Sequence, residues 1–293
     1  MTKKILNIWV CDYSENTGEG RLARLFIQNL KLNQKNRLKF NQKKILRNKY
    51  FSTIQGIIFC WIKYLNNQRV CYLNYLPLWN FLIFIFLPPK TMLGPITGGA
   101  DYSKNINLNY FIRAFIFPTF YKLSEFFLNF RSEKIIFSTD LLKKKLSKIT
   151  IKKSQFNFVL NIVSLKRKKR KKNDFLIYYR RHNNKKYLFP YSLIEKIIKL
   201  KFRISVIGDK LDFPLVKNYG KISNKKVSNL QSISKYTIAS GENLYSLFVL
   251  ECLSNNVKVI IDKQRSNKIK FFRKNFIQLD YNSKNIFKNL KKL

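Results

Sequence analysis

The chain has 293 residues, which is enough for one or two domains that each bury a core. Its apolar content of 46%, with 26 Phe and 16 Tyr, excludes a disordered chain. The formal net charge of +43 excludes an acidic protein and favours polyanionic partners, although a codon bias towards Lys, Asn, Ile, Phe and Tyr is an equally good explanation of the excess.

Cysteine and histidine usage excludes ordinary zinc sites. There is a single histidine, His182, and no C-x-x-C spacing among the four cysteines, Cys11, Cys60, Cys71 and Cys252. All four lie in apolar runs, so we expect reduced core thiols in a cytoplasmic protein. The strongest hydrophobic stretch, residues 76–87, is shorter than the roughly 20 residues of a membrane-spanning helix, so none is predicted.

The first half of the chain opens with a strand, a loop and a helix. Ile5 to Val10 reads as a buried strand, and a loop that contains Gly18 and Gly20 leads into a helix from Arg21 to Leu30. After a basic stretch the pattern predicts a helix, a strand, a helix with proline at its start and a further strand, over Ile54 to Leu65, Val70 to Leu73, Pro77 to Leu87 and Thr91 to Ile96.

The last of these strands ends in a glycine-rich segment from Gly94 to Ala100, and Asp101 comes directly after it. Glycine lets the backbone approach a sugar or a phosphate closely, but a tight turn alone explains it as well. Asn109 to Phe130 is an aromatic-rich helical region, expected to break at Pro118, that serves either as core or as an acceptor- or membrane-facing surface.

The middle of the chain predicts the end of one domain and the start of another. Ile135 to Ser138 reads as the first domain's last strand, with Ser138 to Asp140 capping a helix from Leu141 to Leu146. The basic run at 166–173 is interpreted as a solvated interdomain linker. The alternation then restarts with strands at Phe175 to Tyr179, Arg203 to Ile207 and Val216 to Gly220, a helix that ends at Lys199, and a helix from Lys225 to Ser234.

The segment from Tyr236 to Asp262 is the most informative. It predicts a strand from Tyr236 to Ala239, turn and N-cap residues from Ser240 to Asn243, a helix from Tyr245 to Leu253 and a buried parallel strand from Val257 to Ile261. A βαβ unit of this form presents a helix N-terminus at the carboxyl edge of the sheet, where a phosphate is favoured.

This segment resembles the donor-binding signature of GT-B glycosyltransferases, in particular the large retaining family with the motif E-x7-E. The resemblance implies that Glu251 holds the nucleotide ribose and that Asn243 or its neighbour Glu242 contacts the transferred sugar. It also implies that the residues around them take part in donor binding: Gly241, Leu244, Tyr245 and Ser246. The alternative interpretation is that Glu251 is a solvated glutamate on an amphipathic helix.

A second match follows the strand at Phe175 to Tyr179. The spacings Arg180 to Lys185 and Arg181 to Lys186 are similar to the family's Gly-Arg-x4-Lys, with Tyr179 in place of glycine. In the family these cations neutralise the donor pyrophosphate. His182 between them is not expected to act as a base. Gly208, which ends the next strand, is assigned to the donor site.

The resemblance as a whole implies an α/β protein with the GT-B fold, in which two Rossmann-like domains have parallel sheets that face a central cleft. The domains are expected at 1–165 for the acceptor and 174–293 for the nucleotide-sugar donor, joined by the linker at 166–173. Catalytic candidates are Arg181, Lys186, Glu242, Asn243 and Asp101. The acceptor side is assigned, from the glycine loops, to Gly18, Gly20, Gly98 and Gly99.

The implied function is sugar transfer from a nucleotide sugar to a glycan or lipid-linked acceptor in surface polysaccharide or lipopolysaccharide synthesis. No cofactor and no metal are expected, because no Asp-x-Asp motif occurs. Asp12 and Glu19 are further carboxylates to test beside the acceptor. We expect a cytoplasmic protein, with peripheral association at an anionic membrane surface left open. The alternatives are a basic nucleic-acid-binding protein, although no nucleic-acid-binding motif is present, and a non-catalytic GT-B homologue at the membrane.

Overall fold

The computed structural model describes residues 4–33, 38–44, 49–74, 76–98, 111–131, 134–161, 170–181, 189–239 and 243–293. The chain divides into two compact units, Met1–Ile162 and Val163–Leu293. Every strand pair among the described residues is parallel. Parallel sheets need helices on both faces, which is what the alternating sequence pattern predicts.

In chain order the elements of the first unit are β1 (Lys4–Val10), α1 (Gly18–Asn33), β2 (Leu38–Lys44), α2 (Lys49–Leu65), β3 (Arg69–Leu73), β4 (Leu76–Pro77), α3 (Phe81–Phe86), β5 (Met92–Leu93), β6 (Ile96–Thr97), α4 (Phe117–Arg131), β7 (Ile135–Ile136), α5 (Lys148–Lys153) and β8 (Ser154–Gln155). The unit is built on a four-stranded sheet with the order β2-β1-β3-β5. Trp9 of β1 and Tyr72 of β3 are buried with Cys60 of α2 in the core on one side of the sheet.

The strands of the first unit differ from expectation in two places. The basic stretch contains β2, which pairs with β1 over its whole length; an edge strand pairs on one side only, so it needs no continuous apolar run. The single strand expected at Thr91 to Ile96 is two short strands, of which β5 extends the main sheet and β6 pairs with β4.

The helices of the first unit also differ from expectation. Pro77 belongs to β4, and α3 starts only at Phe81. The aromatic helix does not break at Pro118: a π-helical turn, Ile112–Ile116, precedes α4, and the N–H of Phe117 donates to the carbonyl of Ile112. The hydrogen-bond pattern thus widens directly before the residue that has no N–H to give.

The helix expected at Leu141 to Leu146 is a turn followed by a single 3₁₀ turn, Lys143–Lys145. The next helix, α5, begins later and is capped by Ser147, whose Oγ accepts from the N–H of Thr150. The residues from Ser138 to Asp140 therefore cap no α-helix.

The elements of the second unit are β9 (Asn173–Tyr179), α6 (Tyr191–Lys199), β10 (Ile204–Gly208), β11 (Val216–Asn218), α7 (Asn224–Ile233), β12 (Ser234–Ile238), α8 (Leu247–Ser254), β13 (Lys258–Asp262), β14 (Phe276–Leu279) and α9 (Ile286–Lys291). Its strands form a six-stranded sheet with the order β11-β10-β9-β12-β13-β14. The strand order reverses between β9 and β12, as in doubly wound dinucleotide-binding folds. Ligands bind at this switch point in such sheets.

Helices cover both faces of the second sheet. Phe175 and Ile177 of β9 pack against α6 and α9, whereas Leu176 packs on the other face with Val227 and Leu230 of α7. Phe248 of α8 packs on that second face as well. The alternation of β9 thus assigns α7 and α8 to the same side of the sheet.

The end of the basic run belongs to the second unit. Lys171 is partly buried, and its Nζ donates to the carbonyl oxygens of Ser232 at 3.2 Å and Asn255 at 2.9 Å. Burial lowers the pKa of its ammonium group. Asn173 already pairs in β9, and residues 166–169 of the predicted linker lie outside the described residues.

All four cysteines are free thiols. Cys60, Cys71 and Cys252 are buried, and burial raises the pKa of Cys60 to about 12, so these thiols stay protonated. Cys11 is only partly buried. In the part of the chain that the structure describes, no helix combines the length and the apolar character needed to cross a bilayer.

Candidate functional site

The described parts of the two loops predicted to bind the donor lie at the switch point of the second sheet. Arg180 and Arg181 follow β9 directly, and Asn243 to Ser246 lie between β12 and α8. Since β9 and β12 are neighbouring parallel strands, their carboxyl ends meet at the same edge. The rings of Tyr178 in β9 and Phe248 in α8 are 5.6 Å apart, which fixes α8 next to the end of β9.

The loop after β9 is tied to the loop after β10. The backbone N–H of Arg181 donates to Asp209 Oδ2 at 2.7 Å, and the N–H of Asp209 donates to the carbonyl of Tyr179 at 3.0 Å. Gly208 has φ +102°, and a Cβ there would run into the Tyr179 carbonyl. Both arginines are exposed at this edge. Asp209 thus holds the arginine loop in place, a role that the sequence alone did not indicate.

The loop before α8 forms a turn and then a cap. Asn243 Oδ1 accepts from the N–H of Tyr245 at 3.1 Å, and Ser246 Oγ accepts from the N–H of Val249 at 3.4 Å. The N-cap is therefore Ser246, and the prediction that the cap lies at Ser240 to Asn243 is wrong, because the side chain of Asn243 first closes a local turn. Gly241 and Glu242 lie outside the described residues.

Leu244 and Tyr245 are buried residues of this loop. They are only 7% and 5% exposed. Tyr245 Oη accepts from the N–H groups of Lys270 at 2.9 Å and Phe271 at 2.8 Å, and it donates to the carbonyl of Phe271. The hydroxyl thus ties the loop before α8 to the segment that leads into β14.

Removing this hydroxyl should destabilise the protein. In Tyr245→Phe two backbone donors lose their acceptor, so we expect a loss of about 1–3 kcal/mol in the free energy of unfolding. The matched control is Tyr281→Phe, because Tyr281 Oη is buried and has no hydrogen-bond partner among the described residues. Urea unfolding of both variants checks this, and equal losses would contradict the role of Tyr245.

Glu251 lies in the middle of α8, on the side that faces α7. Its Oε2 accepts from Gln231 Nε2 at 3.2 Å, and Gln231 is 1% exposed. Glu251 is one helical turn after Phe248, which touches Tyr178. Glu251 and the end of β9 therefore lie on the same flank of the sheet. Gln231 holds this carboxylate, and no sequence signal distinguishes it from other polar residues of α7.

The first unit has a pocket of about 110 Å³ at the carboxyl ends of β1 and β3. Its lining includes Gly18, the carboxylates Asp12 and Glu19, and also Leu73 and Asn74. Three of the sequence candidates for the acceptor side thus meet at one pocket.

The loop beside this pocket is organised by Asp12. Its Oδ1 accepts from the N–H of Ser14 at 2.8 Å, and its Oδ2 accepts from the hydroxyl of Thr17 at 2.6 Å. Thr17 Oγ1 in turn accepts from the N–H of Gly20 at 3.0 Å in the first turn of α1. The carboxylate therefore connects the end of β1 to the start of α1.

The remaining candidates are placed only in part. Gly98 packs against the side chain of Leu142, so its lack of a side chain serves close packing. Gly99, Asp101, His182, Lys185 and Lys186 lie outside the described residues. Within the described ranges, no three His, Cys, Asp or Glu side chains cluster as a metal site would need.

Comparison with known proteins shows similarity in structure only. No family model and no curated protein sequence matches the chain. A glycosyltransferase from Rickettsia africae superimposes with a TM-score of 0.54 at 13% identity, over 100% of this chain and 88% of the other.

Two further solved structures are more distant. The Escherichia coli heptosyltransferase WaaC with ADP has a TM-score of 0.45 at 10% identity, with 99% and 98% of the two chains covered. The UDP-GlcNAc 2-epimerase of Methanocaldococcus jannaschii has 0.47 at 10% identity, with 98% and 92% covered. At such identities likeness shows the fold alone, and the likeness to the Rickettsia protein confirms the GT-B fold expected from the sequence.

Proposed function

We propose that this protein is a glycosyltransferase that transfers a sugar from a nucleotide-sugar donor and binds that donor in its second unit. One observation carries the proposal. Both groups of residues that resemble a donor site, the arginines after β9 and the loop into α8, flank the single point where the strand order reverses. The fold shared with the Rickettsia glycosyltransferase supports it.

The arginines would serve the departing diphosphate. When the bond between the anomeric carbon and the phosphate oxygen breaks, negative charge grows on the diphosphate. Arg180 and Arg181 at the end of β9, with Lys185 and Lys186 further along the loop, would stabilise this charge more strongly in the transition state than in the ground state. The N-terminal end of α8 at the same edge adds its dipole.

The other donor contacts would come from α8 and the loop before it. Glu251, held by Gln231, would accept hydrogen bonds from the ribose hydroxyls. Asn243 or Glu242 would bind hydroxyls of the transferred sugar. In a retaining, metal-independent reaction the acceptor hydroxyl gives its proton to the leaving phosphate, so no strong protein base is required. Gly208 and Gly241 would let the backbone approach the donor.

The acceptor would bind to the first unit. Its pocket offers Asp12 and Glu19 beside Gly18, and Asp101 would join them as a hydroxyl-orienting carboxylate. We propose a glycan or a lipid-linked acceptor in the synthesis of surface polysaccharide or lipopolysaccharide. The enzyme would work on the cytoplasmic side of the cell membrane, as a peripheral protein.

Thermal shift with a panel of UDP-, GDP-, ADP- and CMP-sugars tests the donor site. We expect one nucleotide class to raise the Tm by several degrees, since a ligand at about 100 times its Kd stabilises by about 2.7 kcal/mol. Glu251→Ala should lose this rise. Glu251→Gln should lose most of it, because an amide has one acceptor oxygen where a carboxylate has two.

Glu195→Gln is the matched control, because Glu195 is exposed on α6, on the opposite face of the sheet. It should keep the full rise in Tm. If no nucleotide sugar stabilises the wild-type protein, or if Glu251→Ala responds as the wild type does, the proposed function is wrong.

A further inference from the structure

The outward face of α2 is apolar. Phe51, Ile54, Ile58, Ile62 and Leu65 recur at intervals of three and four residues, and each is 53–71% exposed. The opposite side of the same helix packs on the sheet with Cys60 at 0% exposure. Because a helix with apolar residues on both sides is normally buried on both, we expect the outward face of α2 to contact a partner.

The helical segment that ends in α4 repeats this arrangement. Phe111, Phe115, Phe126 and Phe130 are 55–82% exposed, while Leu128 on the inner side is buried. The aromatic segment therefore has two sides: its inner residues belong to the core, and its outer residues face away from it.

Short contacts join the three helices α2, α3 and α4 into one surface. Trp61 Nε1 in α2 donates to the carbonyl of Phe86 at the end of α3, at 2.7 Å. The rings of Phe81 in α3 and Phe120 in α4 are 5.1 Å apart. The side chain of Phe86, at the end of α3, is itself 56% exposed. We call the exposed side of these helices the α2–α3–α4 surface.

The exposed charges of the described residues around this surface are of one sign. Helices α2 and α3 contain no acidic residue. The one carboxylate of α4, Glu125, is 8% exposed and accepts from the N–H of Ser147 at 2.8 Å. Lys90 is exposed directly after α3, and Lys122 is exposed among the outer residues of α4. The surface therefore combines apolar side chains with positive charge.

We propose that the α2–α3–α4 surface docks onto an anionic lipid leaflet, with its aromatic and aliphatic side chains in the interfacial region and its lysines at the headgroups. Interfacial helices have this composition, and tryptophan such as Trp61 favours the same depth. A second copy of this chain would bring a net charge of +43 against the same sign, whereas acidic lipids attract it. The docking itself does not depend on the proposed function. The further inference that docking brings a lipid-linked acceptor to the first unit rests on the proposed function.

Flotation with vesicles tests the docking. The probe is vesicles of phosphatidylcholine and phosphatidylglycerol in equal parts, with vesicles of phosphatidylcholine alone for comparison and no nucleotide sugar present. We expect the wild-type protein to float with the anionic vesicles and to bind the neutral ones more weakly. Phe126→Asp/Phe130→Asp and Ile58→Asp/Leu65→Asp should each lower the partition coefficient at least about tenfold, because burying one such side chain contributes more than the 1.4 kcal/mol of a tenfold change.

The matched control is Leu215→Asp, which places the same charge at an apolar side chain that is 79% exposed in the second unit. It should bind vesicles as the wild type does. The proposal fails if the wild-type protein does not float, or if the surface variants bind as well as the control. It also fails if those variants instead convert a dimer to a monomer in light scattering, since the occupant would then be a second copy. Nucleotide-sugar thermal shifts on the same variants report separately on the proposed function.

Discussion

Replacing Arg180 and Arg181 together by alanine is expected to lower kcat/KM for sugar transfer by about two to three orders of magnitude. Removing a single group that stabilises developing negative charge typically has an effect of about 10²–10³ on kcat. The two guanidinium groups follow β9 at the switch point, and the Asp209 carboxylate fixes the backbone of their loop. Lysine at both positions should recover part of the rate, because it keeps the charge but not the bidentate geometry.

The matched control is Arg273→Ala/Lys274→Ala. This pair is also exposed, and it precedes β14 at the amino edge of the same sheet. It removes the same number of charges from the same unit, so it measures the general effect of net charge on substrate attraction. If the two double variants lose equal activity, the effect is long-range electrostatics and the arginines after β9 have no specific role.

The fold of the second unit was largely predictable because its strands are buried on both faces. The predicted strand at Phe175 to Tyr179 and the strand at Val257 to Ile261 agree with β9 and β13 to within two residues. Long apolar runs between turn residues leave little choice of structure. The N-cap of α8, which was predicted wrongly, depends on which of Asn243 and Ser246 uses its side chain in the turn and which in the cap.

The first unit was less predictable because several of its strands are two residues long. Such strands, β4 and β6 for example, are defined by a partner that is about 20 residues away rather than by their own composition. β2 was missed for the same reason: its polar, basic sequence is a strand only because β1 lies beside it.

The contacts that arrange the candidate site could not be predicted from the sequence. Asp209 meets the N–H of Arg181 from 28 residues away, and Gln231 meets Glu251 from 20 residues away. Residue type and local spacing carry no information on such pairs. The motif residues themselves were visible because they occupy loops at fixed distances from strands, which the strand pattern already locates.

Two glycines in the first turn of α1 should respond in opposite directions to alanine. A Cβ at Gly20 would fall within 2.7 Å of Asp12 Oδ1 and against the backbone of Ser14, whereas a Cβ at Gly18 has nothing within 4 Å. Gly20→Ala is therefore expected to lower the free energy of unfolding by about 1–3 kcal/mol, since backbone atoms cannot move aside cheaply. Gly18→Ala should raise it by about 0.5–1 kcal/mol, because alanine loses less conformational entropy in a helix.

The functional consequence follows from the position of this loop beside the pocket of the first unit. Displacing Ser14 and Asp12 would disturb the carboxylate that faces the pocket, so Gly20→Ala should raise KM for the acceptor while the nucleotide-sugar thermal shift of the second unit persists. Gly18→Ala should likewise keep the thermal shift. Urea unfolding and acceptor titrations on the two variants measure this, and a Gly20→Ala protein with unchanged stability and acceptor KM would show that the loop after β1 tolerates what its geometry forbids.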